Sequence, residues 1–487
     1  MTQGVANGEL RGDPCLNLRQ VLRNSVAVRA PKVISAATSA SAAAGAQAYA
    51  QGGNAFDAAL AACFMDTITL PMKCGLAGDL VALIRRAGGP FEALVSVGAG
   101  PLALAAGGRM ERVGPRSVGV PGAPQGFAKL HEFATLELEQ LTAPAIAAAA
   151  MGVPWTGAAL SYLIEAKGLL ATYSPGHPYA PGGRMPAVGE LRILPGLGRW
   201  LALFARHREA LFETEAGAAL LAALTPRGGL LSAADFRQRP ARMLVPAIGD
   251  VAPGLRLSAT PLPTHGPRLI STVATVLVGS SDPVTAVRGA RADARRAGLE
   301  PSDGGTTLVI AADDAGNVAV VLHSNSFPQF ASGIVLDDGL ILNNRPGRGF
   351  DLTAPPGAAN APAAGKVPWT TVHAWALETD GQTFVGATPG GVNQMPWNVQ
   401  SVLALAAGED PAGVVTAPRW ALDAQDVLSA EPGALPEGIL PDKSLEELEL
   451  RSVQQVAALS GDGGLHELAA DPRTGGRAIG LYGGRAP

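Results

Sequence analysis

Thr306 and Thr307 stand where Ser302-Asp303-Gly304-Gly305 gives way to the β-prone run Leu308-Val309-Ile310. A threonine hydroxyl at such a junction is a nucleophile once a base removes its proton. Threonine is also a favoured strand residue, so this spacing equally describes a strand that follows a turn. The second candidate is Thr388-Pro389-Gly390-Gly391-Val392-Asn393-Gln394. Its glycine pair could present two backbone N–H groups to an anion or to a developing oxyanion. The same residues also make an ordinary strand-to-helix loop.

These residues need elements to hold them. Residues 35–69 are alanine-rich around Gly52-Gly53-Asn54 and predict two helices meeting at a corner, with Asn54 capping the second. Residues 80–85 and 91–97 read as strands, and 117–126 as a Gly/Pro loop. Residues 127–150 read as helical, with an entry at Pro144. Loops with one short helix near 158–166 follow, then helical periodicity over 197–224. Ser232 and Asp235 make a capping pair, and strand-like runs lie at 243–248 and 255–259. Residues 282–305 are charged and poor in apolar side chains and read as a mobile linker. Beyond them, runs at 307–312, 318–323, 333–336, 340–342, 370–377 and 383–388 read as strands, with a helix at 399–407. Helices on either side of a block of antiparallel strands predict an α+β fold, with helix layers on stacked sheets.

Composition narrows the function. The 487 residues are 47% hydrophobic and 16% charged, enough for a large core and against disorder. A net charge of −4 offers no basic face to a nucleic acid. Cys15, Cys63 and Cys74 form neither a metal motif nor an even disulfide set. No apolar run approaches the roughly 20 residues that span a bilayer, and the first 30 residues lack the apolar stretch of a secretory signal. The expectation is a cytoplasmic protein acting on a small molecule, with no metal, no cofactor, no nucleic acid and no membrane partner. His323, beside Ser324, and His373, near Thr370-Thr371, read either as packed strand residues or as pocket groups.

Several blocks, in order, resemble the gamma-glutamyltranspeptidase family of N-terminal nucleophile hydrolases. They are AQGGNAFDAA at 50–59, VGVPGAPQG at 118–126, Gly228-Gly229 with Asp235, residues 261–266, Thr306-Thr307, and Asp314-Ala315-Gly316-Asn317. Ser324-Asn325, Gly333-Ile334-Val335, Leu342-Asn343-Asn344-Arg345, Pro368-Trp369-Thr370-Thr371 and Pro389-Gly390-Gly391 complete the series. The resemblance implies an αββα sandwich of two stacked, mainly antiparallel sheets. It also implies a precursor that cuts itself at Gly305–Thr306, leaving a large segment, 1–305, and a small one, 306–487, packed as one intertwined unit. Thr306 would then be the nucleophile and its freed amine the base. Ser324 would orient it, Gly390 and Gly391 would hold the oxyanion, and Asn325, Arg345, Arg348, Thr370 and Thr371 would line the substrate site.

Two departures bear on the substrate. The stretch Ser96-Val97-Gly98-Ala99-Gly100-Pro101 has Val97 where the family places a carboxylate-binding Arg. Asn344-Arg345-Pro346-Gly347-Arg348 puts cations where the family holds the donor's ammonium. The expected substrate is therefore a small, carboxylate-bearing, non-glutamyl compound, with glutathione turned over poorly. Family branches in specialised metabolism leave amide and carbon–carbon cleavage both open. The rival readings are an unprocessed, non-catalytic homologue and a true gamma-glutamyl transferase.

Overall fold

The computed structural model describes residues 26–296, 305–445, 454–461 and 464–482. Within them two seven-stranded sheets organise the chain. One has the order Ala27–Ala30, His466–Ala470, Gln455–Leu459, Gln382–Ala387, Ala374–Thr379, Leu255–Ala259, Ala247–Ala252. The other has the order Arg477–Leu481, Lys32–Ala36, Gly305–Ala312, Val318–Ser326, Asp79–Arg85, Phe91–Ser96, Arg242–Leu244. All neighbours in both sheets are antiparallel.

The layering follows from strand periodicity, because alternate side chains leave opposite faces. Leu308, Ile310, Val318, Val320 and Leu322 share a core with Ala374, Ala376, Val385, Ala457 and Leu468 of the facing sheet. Their neighbours Val309, Ala311, Ala319 and Val321 pack instead with Ala59, Phe64 and Phe127 on helices. On the far side, Trp375, Leu377 and Val456 pack on Leu269, Val273, Val399 and Val402 of helices Gly266–Leu277 and Gln394–Ala406. Three apolar layers between four layers of structure make the αββα sandwich.

The alanine-rich corner forms as its residues predict. Helices Ser39–Ala50 and Ala55–Thr69 meet there, and Asn54 and Asp57 close a reciprocal capping box. Small side chains let this pair pack closely over the sheet that carries Thr306.

Other expectations are corrected. Residues 283–296 are helix, not linker: Val284, Val287, Arg291 and Ala294 are buried at the 3–4–3 spacing of one helical face; 297–304 lie outside the described residues. The run at 243–248 divides between two sheets, Arg242–Leu244 in one and Ala247–Ala252 in the other. Residues 333–336 and 340–342 form only a single bridge, Val335 to Ile341. Pro144 lies inside the helix Leu138–Met151 rather than at its start. A separate helix, Ala123–His131, begins within the expected Gly/Pro loop.

Candidate active site

Strands Gly305–Ala312 and Val318–Ser326 form a hairpin whose register sets Gly305 opposite Ser326 and Thr306 opposite Ser324. The register slips between Gly305 and Thr306. Such a bulge leaves one peptide unit unpaired and re-aims its side chains. Here the extra residue is Asn325, which faces the Gly305–Thr306 junction from the opposite strand.

Thr306 Oγ1 donates to Ser324 Oγ at 3.1 Å, and Ser324 Oγ donates to the Gly305 carbonyl at 2.5 Å. Ser324 Oγ also accepts from the Ser326 N–H at 3.0 Å and from Arg345 Nη2 at 3.3 Å. Ser326 holds φ 80° to reach that position, a left-handed conformation costly for a serine. A side chain on Gly305 would bring Cβ to 2.9 Å from the Ser326 carbonyl, so only glycine fits there.

Thr306 and Pro389 lie on the wall of a cavity of ≈690 Å³, a size that suits a small organic ligand. Pro389 leads into Gly390 and Gly391, at φ 129° and 56°. Their N–H groups have no protein acceptor among the described residues. The glycine pair thus keeps two donors in reserve beside the threonine's cavity.

Behind this loop sits Arg291, only 6% exposed. Its Nη2 donates to the Val392 and Leu422 carbonyls, each at 2.8 Å, and its Nη1 to the Asp423 carbonyl at 2.7 Å. The helix that precedes the junction therefore braces the loop that follows the glycine pair. Sequence reading missed Arg291 because a charged residue in a polar segment carries no sign of burial.

The remaining candidates divide. Asn325 is part of the frame: its N–H meets the Lys73 carbonyl at 2.8 Å and its Nδ2 the Pro71 carbonyl at 3.0 Å. Arg345 is buried and bonded through Nε to Asp79 Oδ2 at 2.5 Å. Burial holds the Asp79 carboxyl above its usual range, with Arg345 and the Gly98 N–H acting in the opposite sense. Arg348 stacks on Phe327, 5.5 Å from the ring centre. Thr370 is buried and bonded to the Pro263 carbonyl, while Thr371 lines a separate small hollow with His265 and Arg291. Neither threonine, nor Arg345 nor Arg348, lies on the wall of the Thr306 cavity.

The two histidines also stand apart from it. His323 alternates to the helix side, fully buried, 3.6 Å from Asp66. Burial depresses His373 to about 4. The neutral ring therefore donates from Nδ1 to the Thr371 carbonyl at 2.7 Å and accepts the Asn398 amide at 2.8 Å on Nε2. No group of three or more potential metal ligands occurs among the described residues. None of the described helices is long and apolar enough to cross a membrane.

The gamma-glutamyltranspeptidase family matches residues 41–280 and 281–481. The chain belongs to that family. Among curated relatives, the acylase ACY 1 proenzyme of Pseudomonas sp. (strain SE83) is 29% identical over 257 residues, covering 49% of this chain and 46% of that protein. The glutathione hydrolase proenzyme of Pseudomonas sp. (strain A14) is 26% identical over 256 residues, covering 48% and 43%. The chain thus spans about half the length of the curated relatives it matches. The crystal structure of cephalosporin acylase from Bacillus halodurans superposes with a TM-score of 0.80 at 23% identity, over 94% of this chain and 97% of that one. That likeness is one of fold, and it takes in nearly all of the two-sheet sandwich.

Proposed function

We propose that this chain is a self-processing hydrolase whose nucleophile is Thr306, released by cleavage of the Gly305–Thr306 bond. The observation that carries the reading is the hydrogen-bonded series Thr306 Oγ1, Ser324 Oγ, Gly305 carbonyl, with Thr306 on the wall of a ligand-sized cavity. Two of the relatives are named as proenzymes, which agrees with it.

The series suits processing. Thr306 Oγ1 attacks the Gly305 carbonyl carbon; its proton passes to Ser324 Oγ as the Ser324 proton passes to the carbonyl oxygen. Collapse breaks the C–N bond, the nitrogen takes a proton, and the ester left on Thr306 Oγ1 is hydrolysed by water. The freed α-amine, with a pKa of about 7.7–8.0, then serves as the intramolecular base. Thr306 Oγ1 passes its proton to that amine and attacks the substrate carbonyl, and the Gly390 and Gly391 N–H groups receive the oxyanion. Collapse breaks the scissile bond and expels the leaving group with the proton. Water hydrolyses the acyl ester to free the acid and Thr306.

The substrate we propose is a small carboxylate-bearing compound other than a gamma-glutamyl one, cleaved at an amide or a carbon–carbon bond. Val97 supports the non-glutamyl assignment by removing a carboxylate-binding cation, and Arg345, held by Asp79 off the cavity wall, stands in the sequence where the family resemblance places the donor's ammonium. A place in specialised-metabolite biosynthesis, such as that of an antibiotic, fits such a substrate.

Intact mass under denaturing conditions tests the core of the proposal. Two fragments of 305 and 182 residues are expected, and a single 487-residue mass would count for a non-catalytic homologue instead. Ser324→Ala is expected to slow fragment formation by about 10²-fold, the usual scale of positioned proton transfer. A time course at the wild-type rate would remove Ser324 from the relay. Glutathione hydrolysis at ordinary enzyme rates would overturn the non-glutamyl assignment.

A further inference from the structure

The loop that leaves the strand Val318–Ser326 is held in an unfavourable shape. Ser326, Phe330 and Ala331 have φ of 80°, 65° and 47°, left-handed values that residues other than glycine rarely adopt. Such strain persists only where the surroundings over-determine it, and it collects at functional sites. Here the surroundings do so. The Phe330 N–H donates to the Met72 carbonyl at 3.0 Å, and Asn344 Nδ2 donates to the Phe327 and Ala331 carbonyls at 2.7 and 3.2 Å. The Phe330 ring is fully buried against Tyr179, with 5.1 Å between ring centres. Gln329 stands between these anchors.

Gln329 is only 8% exposed, and its Oε1 is buried without a hydrogen-bond partner among the described residues. A buried amide oxygen is ordinarily satisfied, by protein or by an ordered water. This one lies 3.2 Å from the point where a side chain on Gly305 would begin, so it stands beside the Cα of the residue whose carbonyl is attacked in processing. Glycine leaves that approach open. The Gly305 carbonyl carbon is one bond beyond Cα, within reach of a water held by the amide. Ser324 Oγ holds the oxygen of the same carbonyl. Ser324 and Gln329 thus address one group at two points, its oxygen and the space beside its carbon.

We propose that Gln329 positions the water that completes self-processing. The inference rests on the proposed cleavage at Gly305–Thr306 and assigns a residue to its second half, ester hydrolysis, for which no motif had marked one. Once the acyl group of Gly305 has moved to Thr306 Oγ1, Gln329 Oε1 accepts a hydrogen bond from the water and aims its lone pair at the Gly305 carbonyl carbon. The water oxygen bonds to that carbon as one of its protons passes to the freed Thr306 amine. Collapse breaks the bond to Thr306 Oγ1, which takes the proton from the amine, and the new Gly305 acid gives its own proton to solvent. Gln329 stays neutral throughout, as suits a glutamine that orients a water without ionising.

The test is a time course of intact mass with and without neutral hydroxylamine, which cleaves an ester and leaves the peptide bond. Gln329→Leu keeps the bulk and loses the oxygen, and is expected to form fragments about 10²-fold more slowly than wild type. Its uncut chain should hold the ester, so hydroxylamine releases the 182-residue fragment and a large fragment ending in a Gly305 hydroxamate. Ser324→Ala, slowed before the ester forms, should give no such release. Gln329→Glu keeps an acceptor oxygen and should regain part of the rate. Gln329→Met repeats the loss with a flexible side chain, and urea midpoints establish which variants are folded. A folded Gln329→Leu or Gln329→Met chain that fragments at the wild-type rate overturns the proposal. So does one that lags and yields no hydroxamate, since a packing defect slows processing without storing an ester. A wild-type chain that neither fragments nor yields to hydroxylamine overturns the cleavage reading itself, and the proposal with it.

Discussion

A Thr306→Ala chain is expected to remain one 487-residue polypeptide and to lose turnover by about 10⁴-fold or more, since residues that act as one catalytic unit fail together. The change is mild for the fold. Thr306 is 1% exposed at the end of a strand, and alanine removes only its hydroxyl and methyl while Ser324 keeps its bond to the Gly305 carbonyl. Ser324 does not take over. Its Oγ points at the carbonyl oxygen as a donor, whereas attack requires approach to the carbonyl carbon. Thr306→Ser keeps the hydroxyl and is the matching control, expected to process and to turn over. The measurement is intact mass paired with hydrolysis rate for wild type, Thr306→Ala and Thr306→Ser. A Thr306→Ala chain that yields the two fragments, or an unprocessed one that hydrolyses substrate at the wild-type rate, would sink the assignment of the nucleophile.

The part of this site carried by local periodicity was legible in the sequence. Two apolar runs joined by Asp314-Ala315-Gly316-Asn317 specify a hairpin, and alternation along it sends Thr306 and Ser324 to one face and Thr307 and His323 to the other. The helical corner was equally plain, because Asn54 and Asp57 sit three apart at a Gly-Gly break. What escaped depends on distant partners. Arg291 is buried because the carbonyls of 392, 422 and 423 converge on it, and nothing near residue 291 announces them. Residues 243–248 look like one strand, yet Val245-Pro246 carries the chain from one sheet to the other. Gln329 lies in a loop beyond the hairpin, and only the folded chain sets its amide beside Gly305. Arg345 was recognisable as a cation near the site, but its bond to Asp79 joins positions 266 residues apart.

That pair sets the last expectation. Asp79→Ala should destabilise the protein by about 3–5 kcal/mol, the usual cost of stranding one member of a buried ion pair. Asp79 and Arg345 are 2% and 4% exposed, and Asp79 Oδ1 also accepts the Gly98 N–H at 2.6 Å. The loss would leave both a buried guanidinium and an open backbone donor. Replacing both charges, as Asp79→Leu with Arg345→Met, should recover more than half of that loss, because apolar neighbours of similar volume avoid the desolvation of two ions. The sign of the pH dependence follows from the raised Asp79 carboxyl: ionising it costs more in the folded chain than in the unfolded one. Its contribution therefore declines as pH rises from the ordinary carboxylate value through the raised one, and the double variant lacks that decline. Urea midpoints measured in a Thr306→Ala background keep every sample unprocessed and comparable. The pair does more than hold the fold, since Arg345 Nη2 reaches Ser324 Oγ at 3.3 Å. In a Thr306 background the double variant should fold and yet form its fragments more slowly than wild type. Equal processing rates would confine Arg345 to packing, and an Asp79→Ala chain within about 1 kcal/mol of the parent would show that the buried pair is not what holds these strands together.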